Sequence, residues 1–196
     1  EERGGEETEE YDQSDNVVFY DDFVDNRNEW GTRDDSEGTI EITGGQLTIG
    51  INVPEYYYWT VLPGDYDQKD LVTYTNVLNS AGDGDYGFVC GVVDGDNFTA
   101  LEISEDGYYS IWKLANGEFV SLVEWSYSEM VASGTAFKMA AYCGPDRLAL
   151  AVNDVLIADT YDPEYTAGAV GLITGTYENA YLRIGFDEFY ILEPNR

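Results

Sequence analysis

"YGFVCGVVDGDNFTALEISEDGYYSIWKLANGEFVSLVEW", residues 86–125, decides the fold. Short apolar runs are separated by Gly95-Asp96, Asp106-Gly107 and Asn116-Gly117, pairs that favour tight chain reversal. With two-residue loops at Gly95-Asp96 and Asn116-Gly117, and a four-residue loop over 104–107, the stretch reads as an antiparallel meander. Cys90 then faces Leu101, Leu101 faces Ser110, and Trp112 faces Ser121. Side chains of a strand alternate between faces, so the register sorts the residues. Phe88, Cys90, Val92, Leu101, Ile103, Tyr108, Trp112, Leu114, Phe119, Val123 and Trp125 share a face without charge, which is assigned to the core. Val89, Phe98, Ala100, Glu102, Tyr109, Ile111, Lys113, Val120, Leu122 and Glu124 share a mixed face, assigned to a partly wetted surface.

That register lines up Glu102, Tyr109 and Glu124 across three neighbouring strands. The two glutamates lie about 10 Å apart at the usual strand spacing, with Lys113 nearby. The row reads either as a polyhydroxyl-binding groove or as a solvated face whose charges oppose aggregation.

The same pattern of apolar runs, broken every 8–12 residues by Gly, Asp, Asn or Pro, continues from Val17 to the end, and no window has a helical period. Strands are expected near 17–23, 38–43, 46–52, 56–62, 70–78, 86–93, 97–103, 108–114, 118–125, 136–143, 147–153, 155–160, 168–174 and 180–192. So many strands in a chain of 196 residues predict an all-β, two-sheet antiparallel jelly-roll sandwich as one domain over 17–196. Residues 1–16 are acidic and Gly-containing, and read as a disordered tail or linker. With no starting Met and no signal peptide, the chain reads as a mature form or an excised region. In "EYYYWT", residues 55–60, a strand puts Tyr56 and Tyr58 on one side and Tyr57 and Trp59 on the other; alternation leaves open which pair is buried.

The chain has 39 Asp+Glu against 9 Lys+Arg, no histidine and a formal charge of -30. A polyanion such as nucleic acid is a poor partner for that surface. No 18-residue apolar run predicts a membrane helix. Without histidine there is no Ser-His-Asp triad. Cys90 and Cys143 fall in expected strands. A disulfide is the favoured reading, with extracellular location as its consequence; a pair of buried thiols and half a metal site are the alternatives.

Ca2+ is the one cofactor the acidic loops suit. "GDGDYG" holds Asp83 and Asp85, and "DGDNF" holds Asp94 and Asp96; both also read as ordinary turns. In "LRIGFDEFYIL" the apolar alternation slips by one at Asp187-Glu188, which predicts a β-bulge. If the terminal strands pair, Asp187 meets Asp22 around a metal or caps backbone N–H groups. "NFT" makes Asn97 an N-glycosylation acceptor expected at an exposed turn.

"YDDFVDNRNEW", "YYYWTVLPG", the meander, "LALAVNDVLIADTYD", "GAVGLITGTY" and "RIGFDEFYIL", in that order, resemble a concanavalin A-like lectin/glucanase (laminin-G-like) domain of extracellular bacterial type. The resemblance spans 17–193 and implies a concave sugar-binding face. Paired cysteines also occur in the family at positions resembling Cys90 and Cys143. The glucanase branch carries E-x-D-x-(x)-E on one strand. Here "EISED" has Ser104 at the central position, and Glu105 sits at an odd offset from Glu102. The expected function is therefore an extracellular, non-catalytic carbohydrate-binding or adhesion module, calcium-stabilised. Its ligand face would carry Phe98, Glu102, Tyr109, Lys113 and Glu124, with Tyr57 or Trp59. A surface-layer or filament domain contacting another surface protein is the first alternative. A glycoside hydrolase using Glu102 and Glu124 is the second.

Overall fold

A computed structural model of the protein describes residues 16–80, 84–132, 134, 136–178 and 181–194; the acidic segment 1–15 and Asp83 lie outside them. The strands are β1 (Val17–Asp21), β2 (Arg33–Asp34), β3 (Gly38–Thr43), β4 (Gln46–Ile51), β5 (Tyr56–Tyr66), β6 (Lys69–Ser80), β7 (Gly84–Asp94) and β8 (Asn97–Ser104). They continue with β9 (Tyr108–Ala115), β10 (Glu118–Tyr127), β11 (Ala136–Gly144), β12 (Arg147–Val152), β13 (Val155–Thr160), β14 (Gly168–Thr176) and β15 (Leu182–Leu192). A short helix, α1 (Glu129–Ala132), joins β10 to β11. Strand positions follow the expected ones closely. The additions are the two-residue β2 and α1, both too short to leave a periodic signal.

The strands form two antiparallel sheets. One has nine strands in the order β13-β12-β11-β6-β15-β4-β3-β2, with β1 also on β15; the other has six in the order β10-β9-β8-β7-β14-β5. Leu182–Phe186 of β15 pairs with β4, and Phe189–Leu192 pairs with β1, so the chain ends do meet. Between them the β15–β6 ladder shifts at Phe186/Glu188. This is the bulge read from the phase slip at Asp187, and it lets Ile184, Phe186, Phe189 and Ile191 all reach the core.

The core lies between the sheets. Leu47, Ile49 and Ile51 of β4 and the apolar set of β15 meet Tyr86, Phe88, Leu101, Ile103, Ile111 and Leu172 of the smaller sheet. Each such side chain contributes about 1.5–3 kcal/mol by leaving water. Cys90 of β7 is bonded to Cys143 of β11, so the disulfide crosses the core from sheet to sheet. At the edge of the core Asp21 accepts from the Phe23 N–H (2.8 Å), Asn28 Nδ2 (2.7 Å) and Trp30 Nε1 (2.8 Å). That network anchors the Asp-x-Phe…Trp run against Phe189.

The register of the meander corrects the face assignment in part. β7 and β8 present Phe88, Cys90, Leu101 and Ile103 inward, as expected. At β8–β9 the partners are Phe98↔Leu114 and Ile103↔Tyr109, one residue away from the expected pairing. The turn closes with a Gly107 N–H to Ser104 O bond, and Gly107 has φ 98°, the left-handed residue of a three-residue hairpin with a bulge. A one-residue slip inverts a strand. Ile111 and Tyr109 therefore point to the core, while Trp112, Leu114 and Tyr108 turn outward. A second irregularity, at Gly91 (φ 60°), sends Val92 outward as well. Phe119 stays paired with Leu114 and so follows the inverted β9 outward; β10 then shifts twice, at Ser121/Val123 and Val123/Ser126, and Trp125 too is exposed rather than in the core.

Candidate functional site

The outer face of the six-stranded sheet carries the candidate site. In "EYYYWT" β5 buries Tyr58 and turns Tyr57 and Trp59 outward, so alternation resolves in favour of the odd residues. Cross-strand pairing sets Trp59 beside Ile173, Gly87, Glu102 and Ser110 in one row. The next row is Tyr57, Gly175, Asp85 and Ser104. Rings from four strands bridge the rows. Phe98 lies 6.1 Å from Trp59, 6.0 Å from Tyr57 and 5.4 Å from Trp112, and Trp112 lies 5.4 Å from Phe119. The centre of this layer is sealed (Trp112 is 8% exposed), and its ends are open, with Tyr57 at 41% and Phe119 at 62%.

Two carboxyls sit beneath the rings. Asp85 and Glu102 are diagonal neighbours on adjacent strands of the same face. Glu102 is 1% exposed and accepts a hydrogen bond from Trp112 Nε1. Asp85 accepts one from the Tyr177 hydroxyl. Burial pushes the Asp85 carboxyl up to about 6. Burial, reinforced by the Asp85 charge, pushes Glu102 well above the usual carboxylate range. Like charges this close disfavour double ionisation, so the pair holds a proton into the neutral range. The expected calcium-loop or turn role of Asp85 is corrected: β7 begins at Gly84, so Asp85 is a strand residue paired with Ser104 and diagonal to Glu102.

On the same sheet Ser104, Asp106, Tyr108, Trp125 and Tyr177 line a shallow, open cavity of about 300 Å³. Glu102, Ser104 and Asp106 recur at even spacing in "EISED", a regularity that the odd-offset Glu105 obscures in the sequence. Ser104 Oγ donates to Asp106 Oδ1.

The expected row of Glu102, Tyr109 and Glu124 does not form. Glu102 faces Ser110, Tyr109 packs on the core, and Glu124 is exposed on the doubly shifted β10. Lys113 follows Ile111 to the inner side, where its Nζ binds Asp162 (3.0 Å) and Glu164 (3.2 Å) of the β13–β14 connection. Phe98 keeps the expected face but is buried under Tyr57 and Trp59. Asp94 Oδ1 accepts from Asp96 N and Asn97 Nδ2, which is turn chemistry. The Asn97 side-chain oxygen in turn accepts from the Asn116 N–H, so the sequon amide ties two hairpin turns together. Asp22 and Asp187 line one cavity with Gly45, Tyr74 and Glu188. There Asp187 receives Gln46 and Asn76 amides, and Glu188 receives the Tyr20 and Tyr190 hydroxyls. Among the described residues no three Cys, Asp or Glu side chains group as a metal shell, and no helix is long and apolar enough to cross a membrane.

No protein-family model matches the chain, and no curated protein matches it. Solved structures do. Carbohydrate-binding module CBM66 from Bacillus subtilis superposes with a TM-score of 0.61 at 14% identity, over 81% of this chain and 91% of the module. A β-glucanase from Bacillus licheniformis gives 0.64 at 13% identity, over 90% of this chain and 98% of that one. The GH43 BlXynB protein from the same organism gives 0.65 at 14% identity, over 89% of this chain but 39% of the other. Two antiparallel sheets, joined terminal strands and these superpositions together identify the fold as a two-sheet antiparallel jelly roll, the fold these structures share.

Proposed function

We propose that the protein is an extracellular, non-catalytic carbohydrate-binding module whose ligand lies along the outer face of the six-stranded sheet. The observation that carries this is the ring series Trp59, Tyr57, Trp112 and Phe119, open at both ends, with a carboxylate-edged cavity on the same sheet. Aromatic faces stack on the C–H surfaces of sugar rings, and carboxylates accept their hydroxyl protons. The superposed CBM66 supports a binding role by fold. Hydrolysis is disfavoured by position. Glu102, the one glutamate on β8, is sealed and bonded to an indole, so it cannot reach a glycosidic carbon. The inter-sheet disulfide supports an oxidising location.

A glycan array followed by calorimetry tests this. Tyr57→Ala and Phe119→Ala should each weaken binding of any hit by about tenfold, since stacked aromatic contacts contribute on the order of 1–1.5 kcal/mol. An array without hits overturns the proposal. A calcium ion at Asp22 and Asp187 is its finer part, and requires the Gln46 and Asn76 amides to release Asp187. An unchanged Tm with calcium and with chelator removes it.

A further inference from the structure

The cavity at Trp125 differs from the rest of the aromatic layer in its charge. Trp125 and Tyr177 form two walls at right angles, with ring centroids 6.1 Å apart, and Tyr108 is a third, braced by Tyr127 at 5.5 Å. Asp106 stands exposed at the rim. The Tyr177 hydroxyl, behind the wall, is bonded to Asp85 and faces an acidic cluster of Asp85, Glu102 and Asp106; burial first, and then Asp85, push its ionisation upward. Among the described residues nothing basic offsets them. All seven described Lys and Arg side chains are paired with carboxylates elsewhere: Arg27, Arg33, Lys69, Lys113, Lys138, Arg147 and Arg183. An aromatic box edged by the exposed Asp106 carboxylate, and backed by a carboxyl pair that shares one proton and keeps one negative charge, is a poor site for an anion. A cation gains from the ring faces and from the carboxylates at once.

Building on the carbohydrate-binding reading, we propose that this cavity takes the protonated amine of an amino sugar, so that the module prefers glycans with free amino groups over their N-acetylated forms. An ammonium fits between Trp125, Tyr177 and Asp106, with the pyranose ring on the Trp125 face and the rest of the chain running along Tyr57 and Phe119. A neutral acetamido group meets the same rings but leaves the carboxylates without a counter-charge.

Calorimetry at moderate ionic strength with a β-linked glucosamine tetramer and its fully N-acetylated counterpart tests the idea. The free-amine tetramer should bind at least about tenfold tighter. Asp106→Asn and Trp125→Ala, both at exposed positions, should each abolish that preference. Asp154→Asn, a charge-matched change that removes the partner of Lys138 on the other sheet, should leave it intact. Equal affinity for the two tetramers overturns the proposal. So does a preference that survives both cavity variants, because the amine is then held by diffuse surface charge. If neutral oligosaccharides bind without any amine preference, the carbohydrate-binding reading stands and this inference falls; if no glycan binds, both fall.

Discussion

Asp85 and Glu102 hold a proton that their positions in water would have lost. The folded Asp85 carboxyl titrates near about 6, against an ordinary 3.8. Because the folded state binds this proton more tightly than the unfolded chain, the group's stabilising contribution is full below about pH 4. It is lost as pH rises through 6. Asp85→Asn removes that loss and keeps an oxygen for the Tyr177 hydroxyl. In urea unfolding the variant should match the parent at about pH 4 and exceed it by about 2–3 kcal/mol at about pH 8, the free energy of a shift of roughly two pH units. A difference that does not vary with pH would mean that Asp85 is ionised in the folded protein. This pair was not legible in the sequence. Asp85 lies in a Gly-Asp run that looks like a turn, and its partner is on another strand, so nothing short of the β7–β8 register brings the two carboxyls together. Cys90 and Cys143 were legible because two strand cysteines in a chain without histidine have few other roles.

Strand limits were legible almost throughout, since Gly, Asn and Asp mark the reversals and the apolar runs between them are short. Register was legible only where loop geometry was guessed correctly. Asn116-Gly117 closes the β9–β10 hairpin with both residues at positive φ, and Trp112 does face Ser121. The β8–β9 turn takes three residues rather than four, and that one-residue difference moves Trp112 from the core to the outer face and Tyr109 the other way. The structural reason can be tested at the turn. A side chain at Gly107 is strained at φ 98°, and its Cβ would lie 2.6 Å from that of Ala132 in α1. Gly107→Ala should therefore cost about 2 kcal/mol or more and loosen the β8–β9 hairpin, seen as faster amide exchange in β9. Gly95→Ala, where nothing lies within 4 Å of the added methyl, should stay within about 0.5 kcal/mol of the parent. Equal costs at the two glycines would contradict the bulged turn, and with it the outward placement of Trp112.

The two sheets also depend on each other through a covalent bond. Cys90 and Cys143 are 53 residues apart in sequence and on opposite sheets, so the link restricts a long loop of the unfolded chain while adding no hydrogen bond to the folded one. On the chain-entropy account a loop of that length contributes about 4 kcal/mol. For a domain of this size, each kcal/mol moves Tm by roughly 2–4 °C. Replacing both cysteines by alanine should thus lower Tm by roughly 8–16 °C. Both sulfurs sit in the core, so alanine also leaves a small void, and the fall should lie toward the upper end of that range. Reduction of the parent protein leaves the two thiols in place, so it isolates the loop term from the void. Amide exchange tells which layer gives way first. If the bond chiefly restrains the unfolded chain, reduction should accelerate exchange in both sheets together, because whole-molecule unfolding becomes more frequent. Acceleration confined to the six-stranded sheet would instead mean that β7 is held in place by Cys143, and that the outer aromatic layer owes its position to the larger sheet behind it.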